Sequence, residues 1–147
     1  MRFKKVVVGG SFDHLHRGHK VLLEKAFELG DKVVVGLSSD KMVRKKIAPY
    51  SVRKKRLEEY LSGLKYEIVK LTDPYGIATN DPEVEAIVVS EETLPRAVEI
   101  NKIRKRKGLQ ELEIVKVPMV IAEDGKPISS TRIRRGEIDE EGRIVKF

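Results

Sequence analysis

The sequence predicts an α/β fold, one domain with a five-stranded parallel sheet flanked by helices, and three observations carry that prediction. The length of 147 residues suits a single domain, since domains run to roughly 100–200 residues. Apolar runs of strand length alternate with helical stretches from the first residues onward, the pattern of a parallel sheet covered on both faces. One of those runs, VVVGL at 33–37, is continuously apolar, as a strand buried on both faces must be. No internal repeat, low-complexity tract or Gly/Ser/Pro-rich linker divides the chain.

The elements follow in order. Residues 3–8 (FKKVVV) form the first strand,. Residues 17–29 form a helix with Leu22, Leu23, Ala26 and Phe27 on one face, and Gly30 stands at its C-cap,. After strand 33–37, Ser39 or Asp40 can cap a short helix,. A second long helix starts near Ser51, where Leu57, Tyr60, Leu61 and Leu64 make a stripe at i, i+3, i+4, i+7 spacing,. Strands at 66–71 and 86–90 bracket a polar loop, DPYGIATNDPE. A helix over 95–107 stops at Gly108, and a strand at 113–117 leads into the apolar PMVIA. EDGK is a tight turn,. Ser129 or Ser130 then caps a short helix through Arg135, stopped by Gly136, and the acidic GEIDEEG reads as a mobile tail.

Composition excludes several kinds of chemistry. With no cysteine there is no disulfide, thiolate metal site or Cys nucleophile. The three-valine run in MRFKKVVVGG is too short for a signal peptide,. No apolar stretch nears the roughly 18 residues of a membrane span, so a soluble cytoplasmic protein is expected. Glu and Lys number 34 against three Asn and Gln, the balance of a protein from a hot environment. The net charge is +7, and 16 of the 30 basic residues lie in 41–56, 102–107 and 132–135. Such clustering points to an anionic partner, whether nucleic acid, membrane surface or small phosphate compound.

Parallel sheets bind ligands beyond the carboxyl ends of their strands. The first such loop is GGSFDHLHRGH, residues 9–19. Gly9 and Gly10 let the backbone approach a ligand closely, and the helix start behind them is a natural phosphate seat. His16 and His19, three apart, share a face of that helix start. Gly18 between them carries no side chain to obstruct an oxygen atom. Paired imidazoles there can donate to a phosphoryl group as it gains charge in a transition state. The three histidines could instead ligate a metal, although no carboxylate or thiolate spacing of a known site accompanies them. They could also be structural, the reading preferred for His14. Near the other end, ISSTRIR at 128–134 offers the hydroxyls of Ser129, Ser130 and Thr131 and the guanidinium groups of Arg132 and Arg134,. Alone it reads as an N-cap followed by a basic helix.

Together the two segments resemble the His-x-Gly-His nucleotidylyltransferase superfamily, whose Ser/Thr-rich basic loop closes over the triphosphate of ATP or CTP. Within it, KKxxPYxxR at 45–53, DPYG at 73–76 and VSEETLPxAxxINxxRxxxGL at 89–109 resemble the phosphopantetheine adenylyltransferases of archaeal and eukaryotic type. Ser11 stands where Thr is more familiar in that family, and both carry a hydroxyl. The resemblance implies a Rossmann-like fold and transfer of an adenylyl group from ATP to 4′-phosphopantetheine without a covalent intermediate. It implies that Ser11 and the Phe12 backbone N–H hold the acceptor or α-phosphate, with Gly10 and Gly18 leaving room for the nucleotide. By the same resemblance His19 stabilises the pentacoordinate phosphorus and His16 touches the nucleotide phosphates. Lys46 and Arg53 would orient the acceptor phosphate, Asn101 and Arg104 would contact the nucleotide, and Ser129, Ser130, Thr131 and Arg132 would clamp the β- and γ-phosphates. Mg²⁺ would come bound to ATP, with no dedicated protein metal site. Tyr75 could line the pantetheine path or serve the turn, and Lys105, Arg106 and Lys107 would face water.

Two alternatives remain at this stage. A related enzyme could use CTP or another phosphate acceptor, which the segments at 73–76 and 89–109 argue against. A nucleic-acid-binding module would fit the sequence pI near 9.6, but aromatic residues make up only 5% and Trp is absent, so stacking platforms are sparse. The expectation is a monomer that acts on small substrates, with neither a specific nucleic acid nor a membrane as partner.

Overall fold

Alternating apolar side chains along the strands divide the core into two layers. The computed structural model describes residues 2–43 and 46–145. Lys45, at the head of the KKxxPYxxR segment, and Arg44 of the basic stretch lie outside them. In chain order come β1 (Phe3–Gly10), α1 (Arg17–Leu29), β2 (Gly30–Ser38), α2 (Tyr50–Tyr60), β3 (Tyr66–Leu71), β4 (Ala86–Val89), α3 (Leu94–Arg106), β5 (Glu113–Lys116) and α4 (Ser130–Arg134), with a 3-10 turn at Gly76–Thr79. The five strands are parallel, in the order β3-β2-β1-β4-β5. This is the five-stranded, helix-flanked sheet expected from the sequence.

Val6, Val8, Val33, Val35 and Leu37 pack with Leu22, Leu23 and Ala26 of α1 and Leu57 of α2. Val7, Val34, Ile87 and Val89 pack with Ala97 and Ile100 of α3. Each fully buried Val, Leu or Ile contributes about 1.5–3 kcal/mol relative to exposure, so these two layers hold the sheet and helices together. The chain winds from β1 through β2 to β3 on one side, then returns to β4 and β5 on the other. The strand order therefore reverses between β1 and β4, where an open crevice forms at the carboxyl ends. Gly9 pairs with Gly36 across β1 and β2, which leaves that end of the sheet without side chains at one level.

Three local expectations change, and a fourth holds with a different geometry. Ser39 closes a single turn, accepting from Met42 N, while Asp40 accepts from Tyr50 N at 2.8 Å and serves the start of α2; no helix forms at 40–43. Leu57 and Leu61 are fully buried, but Leu64 is 49% exposed, because α2 ends at Tyr60 and the chain turns through Gly63 at φ +84. Gly30 does take the C-cap position, with extended rather than left-handed dihedrals. Its missing side chain matters because a Cβ would fall 2.8 Å from Val6 Cγ2. The acidic stretch at 136–142 is packed: Ile138 is 1% exposed, in a cluster with Ala122 and Ile128, and Glu140 O accepts from Arg17 N.

Candidate active site

The loop between β1 and α1 begins with a backbone reversal. Phe12 has φ 46, a conformation uncommon for a residue with a side chain, and its ring is buried, 5.1 Å from that of His19. The buried ring compensates for the backbone cost and forms the floor beneath the histidine pair. Gly10 is small because a Cβ there would meet the Phe12 ring at 3.3 Å.

His16 is the N-cap of α1. Its side chain accepts from His19 N, and the side chain of His19 accepts from His16 N, each at 3.3 Å. The two rings stack with centroids 3.7 Å apart and planes 17° from parallel. Both backbone bonds end on Nδ1, so a neutral ring in this arrangement carries its proton on Nε2, where it can donate. Burial pushes His16 down to about 4, helped by His14. Burial pushes His19 down to about 3, helped by His16 and opposed by a hydrogen bond with the His14 backbone. Both are neutral near pH 7. Gly18 is required for this stack, because a Cβ would lie 2.8 Å from His16 Cε1.

Asp13 is the centre of the surrounding bonds. Its side chain is 3% exposed; Oδ2 accepts from Arg134 Nη1 at 2.6 Å, and Oδ1 accepts from Ala48 N at 3.1 Å. Arg56 donates to its carbonyl at 3.0 Å. The bond to Arg134 joins segments 121 residues apart and seats α4 over the β1–α1 loop. Arg134 also donates to Thr131 Oγ1 at 3.2 Å. Ser129 caps α4 by accepting from Arg132 N at 3.2 Å, and Ser130 follows at the first position of the helix.

Several expected ligands have other duties. Arg132 donates to Asp124 and Glu137 and to the Lys126 and Pro127 carbonyls, which staples α4 to the EDGK turn. The guanidinium directed at the signature loop is that of Arg134. Arg53 is fully buried and donates to the carbonyls of Ala48, Ser11 and Ser38 and to Asp40 Oδ1, all within 2.8–2.9 Å. It is therefore a scaffold beneath the loop, with its fork already occupied. Lys46 is exposed in the segment leading to α2.

Asn101 and Arg104 lie toward the amino ends of β4 and β5, at the other end of the sheet from the β1–α1 loop. Asn101 exchanges two bonds with the backbone of Leu112, at 3.0 and 2.7 Å. Arg104, 1% exposed, donates to the carbonyls of Ala78, Asp81, Val84 and Gln110. These residues pin α3 to loops at the amino ends of β4 and β5. Their i, i+3 spacing does give one shared face, but that face packs inward. Lys105, Arg106 and Lys107 are exposed.

An apolar cleft on the α3 side, lined by Gly9, Gly36, Leu71, Tyr75, Ile77 and Thr93 among others, leaves no pattern in the sequence. DPYG shapes its rim: Asp73 Oδ1 accepts from Tyr75 N and Gly76 N, both at 2.9 Å. Those bonds hold the Asp73 carboxyl below its ordinary value, Gly76 first. Gly76 has φ +56, and a Cβ there would strike Leu71. Tyr75 stands on its rim, and the cleft itself needs four strands and α3 side by side.

Among the described residues, no group of three or more His, Asp or Glu side chains is arranged to hold a metal ion. The donor set is imidazole, hydroxyl, backbone N–H and guanidinium, which suits phosphate oxygens.

Comparison with known proteins agrees with this geometry. Residues 7–136 match the model of the cytidylyltransferase-like family. A phosphopantetheine adenylyltransferase of Methanothermobacter thermautotrophicus is 51% identical, the alignment covering 99% of this chain and 92% of the relative. One from Methanosarcina acetivorans is 52% identical, over 97% of this chain and 96% of the relative. A crystal structure of an Archaeoglobus fulgidus protein of unknown function superposes with TM-score 0.72 at 38% identity, covering 77% of this chain and 88% of that one.

Proposed function

The chain belongs to the phosphopantetheine adenylyltransferases of the cytidylyltransferase-like family, and we propose that it moves the adenylyl group of ATP onto 4′-phosphopantetheine in the crevice at the carboxyl ends of β1 and β4. A phosphate oxygen of the acceptor attacks the α-phosphorus in line. The bond from that phosphorus to the bridging oxygen breaks, and pyrophosphate leaves with dephospho-coenzyme A as the other product. Catalysis of this kind rests on positioning and on stabilising charge.

The observation that carries the reading is the Arg134–Asp13 bond, which brings the Ser/Thr-rich segment over the neutral, Nε2-donating histidine pair. In this reading His19 donates to the phosphorus-bound oxygens as their charge grows, and His16 steadies the neighbouring phosphates. Ser11 and the Phe12 N–H face the acceptor or α-phosphate. Ser129, Ser130, Thr131 and Arg134 take the β- and γ-phosphates, with Arg132 fixing the helix that presents them. Lys46 meets the acceptor phosphate, and the apolar cleft beside Gly9 accommodates the acceptor's less polar arm. Mg²⁺ brought in by ATP would supply charge neutralisation between the two anions, and the phosphates rather than a dedicated protein site would hold it. Among the described residues no helix is long and apolar enough to cross a membrane, and we place the reaction in the cytoplasm, carried out by a monomer.

The test is pyrophosphate release with ATP or CTP crossed against 4′-phosphopantetheine and other phosphate acceptors. Turnover with ATP and 4′-phosphopantetheine well above every other pair is expected. A preference for CTP, or for another acceptor, would move the chain to a sister activity.

A further inference from the structure

We propose that Asp13 is a positioning residue that ties the nucleotide side and the acceptor side of the crevice to the histidine pair, one carboxylate oxygen to each. The inference rests on the functional reading above. Asp13 does not face the reacting atoms itself. It lies between Ser11 and His16, directly after the reversal at Phe12, so its side chain is fixed by the same turn that sets the histidines. A carboxylate with 3% exposure must be matched by donors,. Its hydrogen-bond donors come from two separate parts of the chain, while His14 Nε2 lies 3.7 Å from the oxygen that Arg134 engages. Oδ2 takes Arg134 Nη1 from α4, which carries the hydroxyl-rich phosphate segment. Oδ1 takes the backbone N–H of Ala48, two residues from Lys46 in the approach to α2. Arg56, from α2, adds a bond to the Asp13 carbonyl.

The two bonds described for Arg134, to Asp13 and Thr131, use two of the five N–H groups that a guanidinium carries,. The carboxylate thus orients the arginine without exhausting it, leaving donors for phosphate oxygens. The division between the oxygens makes the proposal separable from a general role in folding. Asn at this position has a single acceptor oxygen for two donors, so it keeps one bond and loses the other; with the oxygen on Ala48 N–H, the bond to Arg134 is the one lost. Ala removes both bonds.

The experiment is steady-state kinetics of the full chain for wild type, Asp13→Asn, Asp13→Ala, Arg134→Gln and the double variant Asp13→Asn/Arg134→Gln. Melting temperatures are taken with and without ATP. Loss of a charge-assisted hydrogen bond predicts about a tenfold or greater rise in KM for ATP in Asp13→Asn, with KM for 4′-phosphopantetheine within twofold of wild type. The ATP-induced rise in melting temperature should shrink in parallel. Asp13→Ala should raise both KM values. Adding Asp13→Asn to Arg134→Gln should change KM for ATP little, because the bond is already gone. The proposal is overturned if Asp13→Asn leaves both KM values unchanged, raises both equally, or acts undiminished in the Arg134→Gln background. It is also overturned if Asp13→Asn chiefly collapses the melting temperature without ATP, which would mark a folding role. Failure of the functional reading looks different, since wild type itself would then not turn over ATP with 4′-phosphopantetheine.

Discussion

Replacing Arg53 separates a scaffold from a substrate ligand. In the structure the side chain has no exposure, and its guanidinium donates to three main-chain carbonyls and to Asp40. The Asp40 side chain is 59% exposed, so that ion pair contributes little by itself. The cost of Arg53→Met comes from the carbonyls of Ser11, Ser38 and Ala48 losing their donor. A buried acceptor left without one costs about 1–3 kcal/mol. The bond to Ser38 is buried, and those to Ser11 and Ala48 are partly so, which lets water recover some of the loss. We therefore expect a destabilisation of about 3 kcal/mol, since the partly buried acceptors fall near the lower end of that range. For a chain of this size that is a fall of roughly 10 °C in melting temperature. Arg53→Lys keeps the charge but not the fork, and should lose about half as much. Guanidinium chloride unfolding, compared through midpoint and slope, measures the change. If Arg53→Met stays within about 1 kcal/mol of wild type while KM for 4′-phosphopantetheine climbs tenfold, the guanidinium binds substrate and the scaffold argument is wrong.

His19→Ala should lower kcat by about 10²–10³, the usual loss for a donor to a developing oxyanion, with circular dichroism unchanged; near-normal turnover would remove His19 from the mechanism. Gly18→Ala should push the His16 ring aside, since the new Cβ would lie 2.8 Å from its Cε1, and turnover should fall roughly tenfold to a hundredfold. Its stability should barely change, because Ala gains about 1 kcal/mol over Gly in a helix while disturbing a cap loses about as much; turnover within twofold of wild type would contradict the packing argument. Stability should also depend on pH through the histidine pair. Burial puts the folded values near 4 and 3 against an ordinary 6.5, so below 6.5 the unfolded chain takes up protons before the folded one does. That contribution is fully present above pH 6.5 and is lost as pH falls toward 4 and then 3. Denaturant midpoints measured between pH 7 and 4 should fall less steeply in His16→Gln/His19→Gln, and equal slopes would show that the pair is not titrating as buried imidazoles.

The architecture, and the loops in which to look for a site, were legible in the residues themselves. Apolar runs of strand length, helices with one apolar face and the glycines beyond their ends all depend on neighbours within a few residues. Each therefore predicts β1 to β5, α1, α2, α3 and α4 from local physics. The order of GGSFDHLHRGH and ISSTRIR was enough to mark the two segments that the fold joins through Asp13 and Arg134, and Gly18 between two histidines was visible as a constraint. Tertiary packing alone reveals which polar side chains are committed to protein partners, and to which ones. Asn101 and Arg104 share a helix face, but only the packing of α3 against the loops before β4 and β5 shows that the face is turned inward. Arg132 and Arg134 are two residues apart and chemically identical, yet one grips the turn at Asp124 and the other reaches Asp13. The acidic segment at 136–142 reads as a tail until Ile138 finds Ala122 and Ile128. A guanidinium satisfied by main-chain carbonyls far away in sequence leaves no local pattern, and for such groups the fold, not the motif, selects the role.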